Sequence, residues 1–331
     1  EDCIVLMYWV IHPSGSDVLL PDVPLRAACI PLHCSPLLIQ HAKFAQTQEF
    51  KEQIVKEFTL KQNAASSTLA IYNIHGSIKV EGYSGDKVVL EIDKTISGKT
   101  KEILDQGKEE FKLMFDQNAD SVIVYILEPY DSRPDRNNWK EKNQNRRIEY
   151  KYELDFTVKV PFAMNLHVST VNGGDVSVKD VIGTLHVYNV NGAITLTNAK
   201  GATKIRTVNG NVEANYTAIP PGQSDYKTLN GDIKITYPAN LSADCEFKSF
   251  RGEFYTDFPN VESLPVKVIK NQNQKNDKTI YKLNTETSIR IGNGGKSLDL
   301  KHSTEIFTLK SDPDKDENHP NKYRSFSPDS H

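Results

Sequence analysis

His167 and His186 stand nineteen residues apart in a region where apolar and polar residues alternate. Two imidazoles on neighbouring strands could share a divalent metal, given a third ligand. The next residue at that offset is Lys204, which ligates nothing, so ordinary surface histidines account for the pair and no metal is expected. A column of acids raises a different chemistry. Asp175, Ala193, Asn211, Asp232 and Glu253 follow successive turn motifs. Glycoside hydrolysis needs two carboxyl groups roughly 5 to 9.5 Å apart. Stacked at strand spacing, Asp175 and Asp232 lie about 14 Å apart. Asp232 and Glu253 are closer, but acids at such corners read as solvated caps. Cys29 and Cys34 with His33 are too loosely spaced for a standard zinc motif. There is no glycine-rich phosphate loop, nucleotide fingerprint or Ser-His-Asp order. The sequence therefore reads as non-enzymatic and free of cofactors.

What remains is a binding strip. Ser169, Tyr188, Arg206, Lys227 and Lys248 share one offset, with Lys204 beside them. Tyr188 offers an aromatic platform, and Arg206, Lys227 and Lys248 offer positive charge. Such a strip would meet an acidic envelope glycan or a surface protein. Asp225 and Glu246 nearby also fit an ordinary solvated face. The partner stays unnamed at this level.

These offsets are defined by a repeat. Val171-Asn172-Gly173, Val190-Asn191-Gly192, Val208-Asn209-Gly210 and Leu229-Asn230-Gly231 recur, and Phe250-Arg251-Gly252 is a degenerate fifth copy. Their separations are 19, 18, 21 and 21 residues, a period that signals a solenoid or a repeated hairpin array. Five positions before the apolar residue stand Leu166, Leu185, Thr203, Ser224 and Cys245; three before stand Val168, Val187, Ile205, Tyr226 and Phe247. One before stand Thr170, Asn189, Thr207, Thr228 and Ser249. Gly174 is extra in the first copy and delays Val176 by one place, as a bulge would. Asn73-Ile74-His75-Gly76, followed by Ile78 and Val80, fits the same register.

Asn and Gly tolerate the backbone of a sharp corner. In a β-coil each position stacks on its equivalent about 4.8 Å away. Asn172, Asn191, Asn209 and Asn230 would then form a file able to satisfy corner backbone groups, with Gly173, Gly192, Gly210 and Gly231 turning the chain. Arg251 suggests that the file stops at the fifth copy. The expected fold is all-β: a coiled, parallel β-helix-like solenoid with one amphipathic helix inserted. An antiparallel β meander is the alternative, because Asn-Gly is also a strong hairpin signal. It explains less well why equivalent positions share residue types.

Outside the repeat, Glu49 to Leu60 reads as an edge strand, and Leu69–Val80 and Lys87–Ile92 as further strands. Thr100 caps an amphipathic helix running to Phe115, with Ile103, Leu104, Gly107, Phe111, Met114 and Phe115 on one face. Ser121 to Leu127 is a strand. Residues 129–147, rich in Pro, Asn and charge around Trp139, form an exposed loop. Ile148 to Val160 alternates as one long strand that Pro161 ends. The polar residues 311–331 read as a disordered tail.

Lys and Arg total 40 against 43 Asp and Glu, a net charge of −3, which argues against a nucleic-acid protein. Residues 1–46 read as a leader. Their apolar runs fall short of the roughly twenty residues of a membrane span. Leu37 to Gln46 is similar to the end of a secretory signal cleaved after Ala45, although Lys43 departs from the usual small residue. Export to the periplasm or cell surface is expected, with residues 47–310 as the working domain.

Ser169-Thr170-Val171-Asn172-Gly173-Gly174-Asp175-Val176, Thr207-Val208-Asn209-Gly210-Asn211-Val212 and Leu229-Asn230-Gly231-Asp232-Ile233 carry a family likeness. This pattern resembles the putative-adhesin family of uncharacterised bacterial proteins, over about residues 50 to 310. Ile291-Gly292-Asn293-Gly294-Gly295 with Leu298 and Leu300 is similar to that family's closing segment, and His302-Ser303-Thr304-Glu305-Ile306 stands where V-N-G-D-I is expected. The resemblance implies a β-helix-like fold, a surface or periplasmic location and no catalytic residue. Two other functions stay open: a glycan-active enzyme on a β-helix, and an envelope assembly or stress accessory that binds another protein.

Overall fold

The computed structural model describes residues 47–134, 147–248, 254–275, 278–301, 306–312 and 324–326. Residues 1–46 with Cys3, Cys29 and Cys34, together with Trp139, Arg251, Glu253 and residues 302–305, lie outside these. Along the chain come β1 (Gln48–Thr59), β2 (Thr68–Tyr72), β3 (Ile78–Tyr83), β4 (Lys87–Gly98), α1 (Lys101–Glu110), β5 (Lys112–Gln117), β6 (Ser121–Glu128) and β7 (Lys151–Pro161). The repeat supplies β8 (Asn165–Ser169), β9 (Val176–Lys179), β10 (Leu185–Tyr188), β11 (Ile194–Ala199), β12 (Thr203–Arg206), β13 (Val212–Tyr216), β14 (Ser224–Lys227) and β15 (Ile233–Tyr237). Then follow β16 (Ala243–Lys248), β17 (Phe254–Thr256), β18 (Val261–Lys275), β19 (Lys278–Ile291), β20 (Lys296–Lys301), β21 (Phe307–Ser311) and β22 (Arg324–Phe326).

The strands form two sheets of 11 described strands each, and in the repeat consecutive strands alternate between them. Within each sheet, equivalent strands of successive copies pair in parallel. Leu166, Leu185 and Thr203 are opposite one another, as are Val176, Ile194, Val212 and Ile233. This is a coil and not a meander. Parallel pairing needs a long connection, and here the other sheet's strand supplies it.

Both ends of the stack depart from chain order. At one end β2 and β3 lie between the repeat and the later β6 and β7. At the other, β20 and β21 slot between β14–β15 and β16–β17. The flanking strands turn antiparallel: β1 on β4 on β7, β5 on β6, β18 on β19 on β16, and β22 on β17. Reversed strands and the helix beside β4 cover the open ends that a parallel coil would otherwise present.

The period-2 alternation sends one side chain in two inward. The buried files are Ile71, Val168, Val187, Ile205 and Tyr226 on one sheet and Ile78, Val176, Ile194, Val212, Ile233 and Phe307 on the other. Each buried Val or Ile contributes roughly 1.5–3 kcal/mol, and stability accumulates from neighbour to neighbour. Thr203 and Ser224 break the leucine file for a reason. They hydrogen-bond Tyr216, whose hydroxyl also accepts from Tyr226 at 2.6 Å; Tyr226 meets the Tyr237 hydroxyl at 2.8 Å. All three tyrosines are fully buried, and burial pushes Tyr216 up to about 12 despite these bonds.

Several expectations need correction. The helix ends at Glu110; Met114 and Phe115 lie in β5, which pairs with β6. Their helical spacing was a coincidence of an aromatic, strand-favouring segment whose backbone partner was on hand. Thr100 caps as expected, its hydroxyl accepting from Ile103 N–H at 3.4 Å. The long strand opens at Lys151. In the last copy Phe307, not Ile306, lies opposite Ile233, so the motif sits one residue later than expected. Arg324–Phe326, placed by sequence in an unstructured tail, pairs antiparallel with β17.

Candidate functional site

The outer face of the sheet carrying β8, β10, β12 and β14 shows three files of side chains. One runs Ala70, His167, His186, Lys204, Asp225; the next runs Tyr72, Ser169, Tyr188, Arg206, Lys227. Ile74, Val171, Val190, Val208 and Leu229 follow two residues later at the corner, as a partly exposed apolar ridge.

At the β2 end the face is aromatic. The His167 ring is 5.3 Å from Tyr72, 5.4 Å from Tyr188 and 5.8 Å from His186, centroid to centroid. Tyr125, next in register to Tyr72, is covered by the Arg133 guanidinium 3.9 Å above its ring, and Asp131 holds that guanidinium at 2.9 and 2.6 Å. Partial burial lowers the pKa of His167, with a smaller contribution from His186. Burial and then Lys204 lower that of His186. Both are neutral at pH 7. Burial likewise raises the pKa of Tyr72 and Tyr188. The cluster is a neutral platform.

Towards β14 the face turns basic, with exposed Arg206 and Lys227 in register. Arg206 Nη2 donates to Asp225 Oδ2 at 3.2 Å, so part of its charge is matched. Lys248 is not the next member of the strip. Lys301 of β20 stands between it and Lys227 in register, because the late coil is slotted in there. The sequence groups Tyr188, Arg206 and Lys227, and the three stand in register on one face. It missed Tyr72 and Tyr125, because their copies precede the obvious repeat.

The asparagine file forms, but its bonds differ from those expected. Asn191 Nδ2 donates to Asn172 Oδ1 at 2.8 Å, Asn209 Nδ2 to Asn191 Oδ1 at 2.7 Å, and Asn230 Nδ2 to Asn209 Oδ1 at 2.7 Å. The amides therefore bond one another. Corner carbonyls are satisfied by the file one residue before the apolar ridge. Thr170 donates to Gly76 O at 2.9 Å, Asn189 to Gly174 O at 3.0 Å, Thr207 to Gly192 O at 3.1 Å and Thr228 to Gly210 O at 3.0 Å. These four residues are buried, which is why each carries a side chain that can donate a hydrogen bond.

The acid column is occupied by the same kind of work. Asp175 Oδ1 accepts from Ala193 N–H at 2.8 Å, and Asp232 Oδ1 from Ile306 N–H at 3.0 Å. Asn211, between them, accepts from Asp232 N–H at 2.9 Å. Among the described residues no three of His, Cys, Asp and Glu group as a metal site, and no helix is long and apolar enough to cross a membrane. A cleft of about 840 Å³ opens beside the first corner, lined by Ile74, His75, Ile148, Tyr150, Tyr152 and Val171 among others.

Two mixed sheets wound as an all-β solenoid, closed at both ends by reversed strands and bearing amide ladders at the corners, define the class. The family model described as Toastrack DUF4097 matches residues 56–291, and the chain belongs to that family. No curated protein matches it. Among solved structures, a putative cell adhesion protein from Clostridium sporogenes is similar at 11% identity, over 80% of this chain and 100% of that one, with a TM-score of 0.38. A putative adhesin from Bacteroides fragilis is similar at 10% identity, over 79% of this chain and 97% of that one, with a TM-score of 0.25.

Proposed function

We propose that this Toastrack protein is a non-enzymatic, exported binding protein whose ligand is an acidic envelope glycan. The ligand lies across the strands on the outer face of the β8–β10–β12–β14 sheet. The observation that carries this reading is the passage, along one file, from Tyr72 and Tyr188 around His167 to Arg206 and Lys227. A pyranose ring stacks its apolar C–H face on an aromatic side chain, and an acidic neighbour in the chain then meets the cations. With strands about 4.8 Å apart, Tyr72 to Lys227 spans roughly 19 Å, room for three to four sugar units. The engagement of Asp175 and Asp232 with backbone amides supports a binder over a hydrolase.

A glycan array probed with the whole chain tests it. Binding to uronate- or phosphate-bearing glycans should fall when Tyr188→Ala, and again when Lys227→Glu. Equal binding by both variants and the native chain would remove this face from consideration. Reducing-end release from the same glycans would instead favour an enzyme, and protein capture on native envelopes after cross-linking an assembly accessory. Export is tested by protease accessibility on intact cells.

A further inference from the structure

Five Asn-Gly pairs occur in the chain, at Asn172, Asn191, Asn209, Asn230 and Asn293. An asparagine followed by glycine can modify itself. The glycine nitrogen attacks the Asn Cγ, the Cγ–Nδ2 bond breaks, ammonia leaves, and a succinimide closes. Solvent water then opens the ring at either carbonyl, giving aspartate or isoaspartate. The reaction needs a free glycine N–H, an amide free to leave and room to close the ring.

The corners differ in all three. Gly192 N–H donates to Asn209 O at 2.9 Å, Gly210 N–H to Asn230 O at 2.8 Å, and Gly294 N–H to Ile291 O at 3.2 Å. Gly192 sits against Gly174 O as Gly210 sits against Gly192 O, so Gly174 keeps the register and Gly173, φ +76°, is the extra, bulged residue; its N–H has no acceptor among the described residues. In the ladder, Asn191, Asn209 and Asn230 each tie Nδ2 to the preceding amide. Asn172 heads the ladder; it accepts from Asn191, but its own Nδ2 donates to no described group. Space follows the same order. A Cβ built at Gly192, Gly210 or Gly231 would meet a carbonyl oxygen at 2.3, 2.1 or 2.2 Å, whereas at Gly173 the nearest atom is 3.9 Å away.

We propose that Asn172 is a site of spontaneous deamidation and isomerisation, selected over the other four Asn-Gly pairs by the bulge at Gly173 and by its place at the head of the amide ladder. Isoaspartate there reroutes the main chain through Cγ. It pulls on two bonds that pin this corner, Asn172 N–H to Ile74 O at 2.7 Å and Gly76 N–H to Asn172 O at 3.0 Å. The change therefore loosens the first corner, where Gly173 and Val171 line the cleft.

The test is timed incubation of the folded full chain at mildly alkaline pH. Peptide mapping by mass spectrometry and isoaspartate-specific methyl transfer then follow each pair. Asn172 should convert roughly fivefold to thirtyfold faster than Asn191 or Asn209, the ratio that one or two lost hydrogen bonds give. In denaturant the pairs should convert at similar rates. Deleting Gly173, which restores the register of the other corners, should slow conversion at Asn172 in the folded chain. Equal native rates at Asn172, Asn191 and Asn209, or faster conversion at any other pair, would overturn the assignment. So would a folded deletion variant that converts as fast as the native chain.

Discussion

Replacing Tyr226 with phenylalanine removes one oxygen from the middle of the solenoid and nothing else. That oxygen is the shared member of two buried hydrogen bonds, at 2.6 Å to Tyr216 and 2.8 Å to Tyr237. A net buried hydrogen bond is worth about 1 kcal/mol, so losing both costs about 2 kcal/mol before rearrangement. Tyr216 keeps Thr203 and Ser224 within hydrogen-bonding reach, which lowers the cost. The expected loss for Tyr226→Phe is therefore about 1.5 kcal/mol, and for Tyr237→Phe, which leaves the Tyr226–Tyr216 bond standing, roughly half of that. Urea unfolding followed by circular dichroism reads both, with the slope unchanged because the same surface is exposed. The stacked rings of Tyr216 and Tyr237, 4.5 Å apart, are kept in Tyr226→Phe. A Tyr237→Phe variant that destabilises more than Tyr226→Phe would refute the assignment of Tyr226 as the hub.

Three further outcomes are expected. Gly201→Ala places a Cβ 1.8 Å from Gly183 O, so it should destabilise by about 3 kcal/mol in urea melts, while Gly222→Ala, meeting only the Ala202 methyl at 3.3 Å, should cost far less. His75, His167 and His186 all hold their protons less tightly than the ordinary 6.5, through burial. The unfolded chain therefore binds more protons below about pH 6.5, and the urea midpoint should fall as pH drops from there through the lowered folded values, a trend that glutamine at the three positions should flatten. Burial, reinforced by Asp244, raises the Cys245 thiol far above its ordinary value, so peptide-level alkylation at Cys245 should be detected only after unfolding.

Much of this architecture was legible because a coil imposes equivalence. Val168, Val187, Ile205 and Tyr226 share a type because they share an environment, and an offset count recovers it without coordinates. The ends were not legible for the same reason. β6 and β7 stack outside β2 and β3 with no Asn-Gly signature of their own, and β20 with β21 takes a place that sequence order gives to β16 and β17. That is why chain order sets Lys248 beside Lys227 where the fold interposes Lys301, and why the repeat does not reveal Tyr72 and Tyr125 on the same face. Asn172 and Asp175 were recognised as corner residues, but the division of labour between the amide file and the buried Thr/Asn file depends on which way each side chain points. Composition alone does not carry that.

The slotting of β20 and β21 between earlier coils also bears on how the chain reaches its final state. While residues up to Phe254–Thr256 are emerging from synthesis, the surfaces that β14 and β15 will use have no resident partner, since β16 and β17 belong one layer further out. Completion waits for a segment made later, which must enter a gap and pair on both sides at once. A chain cut short before Lys296 would thus expose two raw parallel edges, each able to recruit another molecule, so the late layer acts as the keystone that shields them.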